Sequence, residues 1–312
     1  MTDSKINTGI TIGNFDGVHK GHREVIRRLK DACSERNLRP LVVTFDRHPL
    51  CIVDPSRAPG TILSPEQKVQ TLKDMGVDVL MLAFDRKLRE LSSGEFMKFL
   101  HEYHAARMIL LGYDNRFGHD RDSGPEQYLE EGAGTGMEII FAGEIPGVSS
   151  SVVRKMIADG DVENAMHWLT RPYFLNGTVE HGDKIGRTLG FPTANLRLPD
   201  ESRIIPANGV YAALAVIENN TPLPAVVNIG VRPTISGSGQ VSIEAHILGF
   251  NSDIYGKEIY LHFITRIRDE KKMESLDALK SAIATDISSA HGIIDSLPAI
   301  KYNIYRSMSH KK

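Results

Sequence analysis

Five short, nearly unbroken apolar runs dominate the first half of the chain: GITIG, PLVVTF, VDVLMLAF, ARMILLG and EIIFAG. A strand with one face in water alternates apolar and polar residues, whereas a strand covered on both faces has no need to. Between these runs lie stretches with helical spacing. HREVIRRLKDACSERN predicts an amphipathic helix after the first run, and SGEFMKFLHEYH predicts another between the third and fourth. SPEQKVQTLKDMG predicts a third, with Ser64 as its N-cap and Glu66 in the first turn, where a carboxylate suits the helix dipole. Buried strands alternating with helices predict a parallel sheet wrapped on both faces, a doubly wound α/β domain.

The texture then changes. SSSVVRKMIADGDVENAMHWL predicts two short helices broken at Asp159-Gly160. After them YFLNGTVE, GVYAALAVI, PAVVNIG, VSIEAHIL and EIYLHFIT follow one another through Gly, Pro and Asn turns, and only SLDALKSAIATDISSAH is helical again. Successive strands with turn chemistry predict a small antiparallel barrel with a C-terminal helix. A chain of 312 residues exceeds one ordinary core. The boundary is expected near Thr170 to Pro172, giving domains 1–169 and 173–312.

Net charge is only −2, so a general affinity for polyanions does not follow and a nucleic-acid platform is disfavoured; a local basic pocket for phosphates is not. The two cysteines, Cys33 and Cys51, form neither a Cys-x-x-Cys pair nor a disulfide framework, which suits a reducing compartment. No apolar run approaches a membrane span, and the first residues lack the apolar core of a signal peptide. The expectation is a cytoplasmic protein.

GNFDGVHKGH, Gly13 to His22, follows the first strand and opens a helix. In open α/β sheets, ligands bind beyond the carboxyl ends of the strands. Gly13 and Gly17 let the backbone approach a ligand, and a helix N-terminus favours phosphate. His19 and His22, three apart, share one face of the turn, where two imidazoles could hold the phosphates of a nucleotidyl transfer. The plainer readings are a solvated loop or a metal pair. Partner ligands at zinc spacing are not apparent, and Gly-x-Gly-x-x-Gly is absent.

The segment resembles the signature of the nucleotidyltransferase superfamily, whose second signature is similar to SSSVVR here: Ser149, Ser150, Ser151 and Arg154. The resemblance implies that His19, His22 and Arg154 are catalytic, and that Gly13, Phe15, Asp16, Gly17, Ser150 and Ser151 cradle the nucleotide. A serine run before a helix is by itself plain N-capping. TFDRHP (Asp46, His48, Pro49) and LLGYDNRFGHDR resemble the FMN adenylyltransferase module of bacterial FAD synthetases. That implies flavin contacts from His48, Asp114, Arg116 and Phe117, with Asn115 standing where the family commonly has an aromatic residue. Read alone, Phe117 is a buried anchor of its loop and His48 a turn residue before proline.

GTVEHGDKIGRTLGFPTANL opens the barrel half. Gly182 and Gly186 bracket a loop whose Lys184 and Arg187 could cover phosphates. Thr193 and Asn195, two apart, point to one side if extended and offer hard oxygens suited to Mg²⁺; a Pro-Thr-Ala-Asn turn is the plainer reading. In VSIEAHIL, alternation puts Val241, Ile243, Ala245 and Ile247 on one face and Ser242, Glu244 and His246 on the other. Glu244 is then either an outer surface charge or a positioned base.

GRTLGFPTAN, NIGVRPT, EAH and IYG are similar to the motifs of riboflavin kinases. The resemblance implies that Glu244 is the catalytic base, that Thr193 and Asn195 bind Mg²⁺, and that Arg268 and Glu270 in RIRDEKKMESL contact flavin. The last two otherwise read as an exposed charged turn. Gly249 stands where the family often has aspartate. Together the two resemblances imply a Rossmann-like nucleotidyltransferase domain followed by a β-barrel kinase domain. Such a chain converts riboflavin to FMN and FMN to FAD. The expected partners are ATP, riboflavin and FMN, with Mg²⁺ as cofactor, without nucleic acid or membrane, and with at most a weak homo-oligomer. The competing readings are a kinase whose adenylyltransferase is weak or uses another phosphorylated acceptor, and a flavin-binding regulator that has lost turnover.

Overall fold

The computed structural model describes residues 6–112, 117–119, 124–143, 149–182, 186, 189–218, 221–232 and 240–297. By contacts the chain divides into two compact units, Met1–Ser150 and Ser151–Lys312.

The first unit contains a five-stranded parallel sheet of order β3-β2-β1-β4-β5. Its strands are β1 (Thr8–Ile12), β2 (Arg39–Phe45), β3 (Asp78–Leu82), β4 (Ala106–Leu111) and β5 (Glu138–Phe141). β1 lies at the centre, with Ile10 level with Leu41 of β2 and Ile109 of β4. The chain runs outward through β2 and β3, then returns to the far side of β1 for β4 and β5. That reversal opens a crevice beyond the carboxyl ends of β1 and β4.

The larger helices of this unit are α1 (Lys20–Glu35), α3 (Pro65–Lys73), α5 (Ser93–His104) and α6 (Pro125–Thr135); the short α2 (Leu50–Val53) and α4 (Arg86–Glu90) lie between them. α3 starts on a full capping box: Ser64 accepts from the Gln67 amide, and the Gln67 side chain returns a bond to the Ser64 amide. Ser92 and Glu95 do the same for α5. α1 buries Ile26, Leu29 and Cys33 against the sheet. It lies so close that a Cβ on Gly9 would sit 2.4 Å from the Cys33 sulfur and 2.7 Å from Met108. Ile10, Ile12, Val43, Ile109, Phe96 and Leu100 belong to one buried cluster. Each contributes about 1.5–3 kcal/mol by leaving water.

The second unit begins with α7 (Ser150–Ala158) and α8 (Val162–Leu169), which break at Gly160, whose φ of +82° suits glycine. The contact division falls after Ser150, earlier than the expected Thr170–Pro172. Its cause is α8, which packs on the barrel and whose Glu163 accepts from the Thr265 hydroxyl at 3.0 Å.

The barrel is closed in the order β10-β7-β6-β11-β8-β9. Its members are β6 (Tyr173–Glu180), β7 (Ala194–Arg197), β8 (Gly209–Ile217), β9 (Leu223–Arg232), β10 (Gln240–Ile247) and β11 (Glu258–Arg268). β7 is the strand that turn-like Pro-Thr-Ala-Asn conceals. It closes the barrel by pairing with both β6 and β10. α9 (Leu276–Asp295) covers the outside of β8, packing Ile294 near Leu214 and Val216, and Ala290 near Val210 and Ala212. Every residue of β8 is therefore buried, one face by the barrel and the other by the helix.

On β10, Ile243, Ala245 and Ile247 are buried, while Val241 at the strand's start is 42% exposed. Gly249 has a φ of +69°, a region that an aspartate side chain enters at a cost. Among the described residues no helix is long and apolar enough to cross a membrane.

Burial pushes the Cys33 thiol up to about 11. At pH 8 only about one molecule in a thousand carries the reactive thiolate there. Iodoacetamide at pH 8 should therefore label half-buried Cys51 in the native protein and reach Cys33 only after denaturation. Peptide mass analysis checks this, and equal native labelling of both would contradict the packing of α1 on β1.

Candidate active sites

The turn between β1 and α1 stands at the crevice of the first unit. Its backbone is left-handed at three positions, Phe15 (φ +49°), Gly17 (+80°) and Val18 (+45°). The first and last are costly for residues with side chains, and a β-branched residue there is rare. Burial of both side chains, Phe15 at 3% exposure and Val18 at 0%, holds the turn. Its product is the alignment of two imidazoles. His19, at the N-cap position of α1, stacks on His22 with ring centroids 3.7 Å apart and planes 20° from parallel. The spacing of three residues thus brings both rings together as the sequence predicts.

Asp16 is buried, and one carboxylate oxygen accepts from the Ile62 and Leu63 amides at 2.9 and 3.3 Å. Gly13 has only 3.0 Å between its missing Cβ and the Phe15 ring, so it lets that ring fold back. Ser150 donates its hydroxyl to the Asp16 carbonyl at 3.1 Å. Arg154 donates to the Ser151 hydroxyl at 3.2 Å within α7. Arg23, which follows His22 and lies outside the motif, is half-buried, and that burial pulls its guanidinium below its ordinary value.

Beside the end of β1 lies a cavity of about 400 Å³. Gly13, Asn14 and His48 share its lining with the rings of Phe45, Phe84 and Phe117. Its size and apolar walls suit a flat, largely apolar group of drug-like dimensions. Phe45 and Phe84 meet edge to face at 5.3 Å, as do Phe96 and Phe117 at 5.7 Å. Phe117 is also a buried anchor, its amide and carbonyl both bonded to the Tyr128 hydroxyl. The His48 ring accepts from the Leu50 amide at 3.2 Å through Nδ1. Phe84, Leu88 and Leu91 complete the wall from a region that carries no motif. Asp114, Asn115 and Arg116 lie outside the described residues, as do Lys184 and Arg187 in the second unit.

In the barrel the polar groups gather on the outer face of β7, β9 and β10. Glu244 stands opposite Asn195 on one side and Asn228 on the other. The Thr193 hydroxyl reaches its carboxylate at 3.5 Å, and His246 donates from Nδ1 to the Pro192 carbonyl at 2.8 Å. A Cβ on Gly182 would lie 2.2 Å from the Asn195 amide, so that glycine is required for the close approach. Gly186 accepts from the Leu189 and Phe191 amides and turns the chain into this segment. A cavity of about 430 Å³ lies beside this segment; Gly182, Thr193, Asn195 and Tyr255 line it together with the buried Ala245 and Ile247, and Glu244 is not in its wall.

A hydroxyl, an amide and a carboxylate form the hard-oxygen set that Mg²⁺ prefers. Among the described residues no cluster of three or more His, Cys, Asp or Glu could cage a metal by itself. Glu270 joins the same face: a Cβ on Gly230, level with Ser242, would lie 2.0 Å from its carboxylate. Arg268 behaves differently. It makes a bidentate pair with buried Asp286 of α9 at 2.9 and 2.8 Å and braces the Asp269 carbonyl at 3.0 Å.

A parallel sheet with a paired-histidine turn at its crevice, followed by a closed barrel with an oxygen-lined outer face, describes a two-module transferase acting on nucleotide phosphates. Residues 2–153 match the FAD synthetase family and residues 169–294 the riboflavin kinase family. The bifunctional riboflavin kinase/FMN adenylyltransferase of Escherichia coli K12 is 37% identical over 89% of this chain and 90% of its own. That of Bacillus subtilis is 35% identical over 92% of each. A solved structure described as a macrolide-efflux protein from Streptococcus pneumoniae is 31% identical, with a TM-score of 0.81 over 92% of this chain and 95% of that one.

The chain belongs to the bifunctional riboflavin kinase/FMN adenylyltransferase family. Its second half phosphorylates riboflavin to FMN, and its first half adenylylates FMN to FAD.

Gly230→Ala should displace the Glu270 carboxylate while leaving the barrel folded, since the obstructing atoms end a flexible side chain. With Glu270 expected on the flavin side, losing that one polar contact predicts a rise of about 3- to 10-fold in the KM for riboflavin with little change in melting temperature. Steady-state kinase assays check it, and an unchanged KM would remove Glu270 from the flavin side.

Proposed function

We propose that the Gly13–His22 turn is the adenylyl-transfer site and the outer face of β7, β9 and β10 the kinase site. The observation that carries this reading is that each half brings its own motif groups into contact: His19 on His22, and Thr193 beside Glu244.

In the first unit, an FMN phosphate oxygen attacks the ATP α-phosphorus, and the bond to pyrophosphate breaks. His19 and His22 hold the α-phosphate and the leaving pyrophosphate as charge shifts onto it. Gly13 and Gly17 let the backbone close on the nucleotide, and the α1 N-terminus favours its charge. Phe15 and Asp16 act by shaping the turn. Ser150, Ser151 and Arg154 supply hydroxyls and a guanidinium to the triphosphate. On that ground we keep α7 and α8 with the adenylyltransferase domain, 1–169, and assign 173–312 to the kinase. The aromatic cavity takes the isoalloxazine ring, with Phe117 in its wall and His48 at its edge. Asp114 and Arg116 complete the flavin side.

In the barrel, Glu244 accepts the proton of the riboflavin 5′-hydroxyl as its oxygen attacks the γ-phosphorus and ADP leaves. Thr193 and Asn195 would hold Mg²⁺, which neutralises phosphate charge when bound. Gly182, Lys184, Gly186 and Arg187 cover the ATP phosphates. Glu270 contacts flavin, and Arg268 braces the segment that carries it. Two free cysteines fit a reducing interior, and we place the enzyme in the cytoplasm.

A product time course with riboflavin, ATP and Mg²⁺ tests the assignment. Wild type should form FMN and then FAD. His22→Ala should stop at FMN, its adenylylation reduced about 100-fold or more. Glu244→Gln should lose FMN formation to a similar extent, yet convert supplied FMN to FAD at the wild-type rate. Loss of both activities in either variant would break the two-site reading.

A further inference from the structure

Lys68 of α3 is a buried cation outside the motifs assigned above. Its side chain is in the interior, with the residue 5% exposed. The ammonium donates to the Phe45 carbonyl at 2.6 Å and the Asn14 carbonyl at 3.0 Å. Phe45 ends β2, and Asn14 opens the left-handed turn after β1; both line the aromatic cavity. The Asn14 carbonyl also accepts from the fully buried Thr44 hydroxyl at 3.1 Å. Two residues further on, Asp16 holds the Ile62 and Leu63 amides that lead into α3. The α3 region therefore grips the turn before and within its costly backbone.

A buried ammonium is a poor source of stability, because an apolar side chain of the same volume avoids its desolvation. Burial pulls Lys68 down to about 8, against the attraction of Asp16 and Asp46. What the charge supplies in return is a donor set with fixed aim. A misplacement on the order of 1 Å in a catalytic turn lowers rate by about a hundredfold.

We propose that Lys68 is a positioning residue for adenylyl transfer, holding the Asn14 and Phe45 carbonyls so that the phosphate turn and the aromatic cavity keep one relative setting. This rests on the turn being the adenylyl-transfer site, so His22→Ala is assayed beside it.

The test uses the full chain. Lys68→Met, Lys68→Arg and Thr44→Val are each assayed for FMN adenylylation, for FMN-binding stoichiometry by flavin fluorescence quenching, and for kinase activity as an internal control. Lys68→Met should bind FMN at full stoichiometry and lose about 30-fold or more in kcat. Lys68→Arg, which restores a donor to the carbonyls, should recover most of that loss. Thr44→Val should lower kcat about 3- to 10-fold at full stoichiometry, and it decides the matter if Lys68→Met fails to fold. Unchanged kcat at full stoichiometry, or a rate loss that only matches lost binding sites, overturns the proposal. If His22→Ala keeps FAD synthesis, the site assignment falls and the proposal with it. If His22→Ala loses FAD synthesis while Lys68→Met and Thr44→Val do not, the proposal alone falls.

Discussion

A chain that leaves a central strand and enters a helix within a few residues, while stacking two imidazoles, cannot use ordinary backbone throughout. That constraint governs the first unit. Left-handed φ at Phe15 and Val18 costs about 1–2 kcal/mol each, and full burial of each side chain returns about 1.5–3 kcal/mol. Burial wins by a small margin, so the turn depends on the packing beneath it. The helix start, the His19–His22 stack and the cavity wall at Asn14 all inherit its geometry.

The barrel meets a different requirement. A closed sheet leaves no open edge, and its side chains alternate between interior and exterior. Tyr173, Tyr211 and Phe263 meet through their rings in the interior. α9 covers the outside of β8, which leaves the outer face of β7, β9 and β10 to carry polar groups. The Arg268–Asp286 pair ties the end of β11 to α9 and fixes the segment leading to Glu270.

Strand and helix identity were largely legible in the sequence because apolar runs and caps are local signals: Ser64 sits where its cap was expected. β7 was not, since Pro-Thr-Ala-Asn has turn composition and becomes a strand only when β6 and β10 flank it. α6 was missed because Gly132 and Gly134 weaken its helical pattern. Gly132 is there because a Cβ would lie 2.4 Å from Ile139, a contact between distant residues. Motif spacing foretold the His19–His22 juxtaposition, whereas the Glu244–Asn195 one comes from cross-strand pairing that no spacing shows. The charges were harder to read. Lys68 looks like an outward helix residue and is buried, while Arg268 looks like an exposed loop charge and is committed to Asp286. In each case the deciding partner lies far along the chain: Asn14 is 54 residues from Lys68, and Asp286 is 18 from Arg268.

The two sites are therefore specified in opposite ways. The histidine pair is near in sequence and is aligned by costly local backbone, so its geometry responds to whatever holds that backbone. Asn195, Asn228 and Glu244 are far apart in sequence and sit on ordinary extended backbone; only strand register makes them neighbours. A slip of one residue in β10 would turn Glu244 inward and Ile243 outward. Burial of Ile243, Ala245 and Ile247 forbids that slip. The apolar interior of the barrel thus determines where the outer carboxylate stands, and the kinase site is a consequence of the core beneath it.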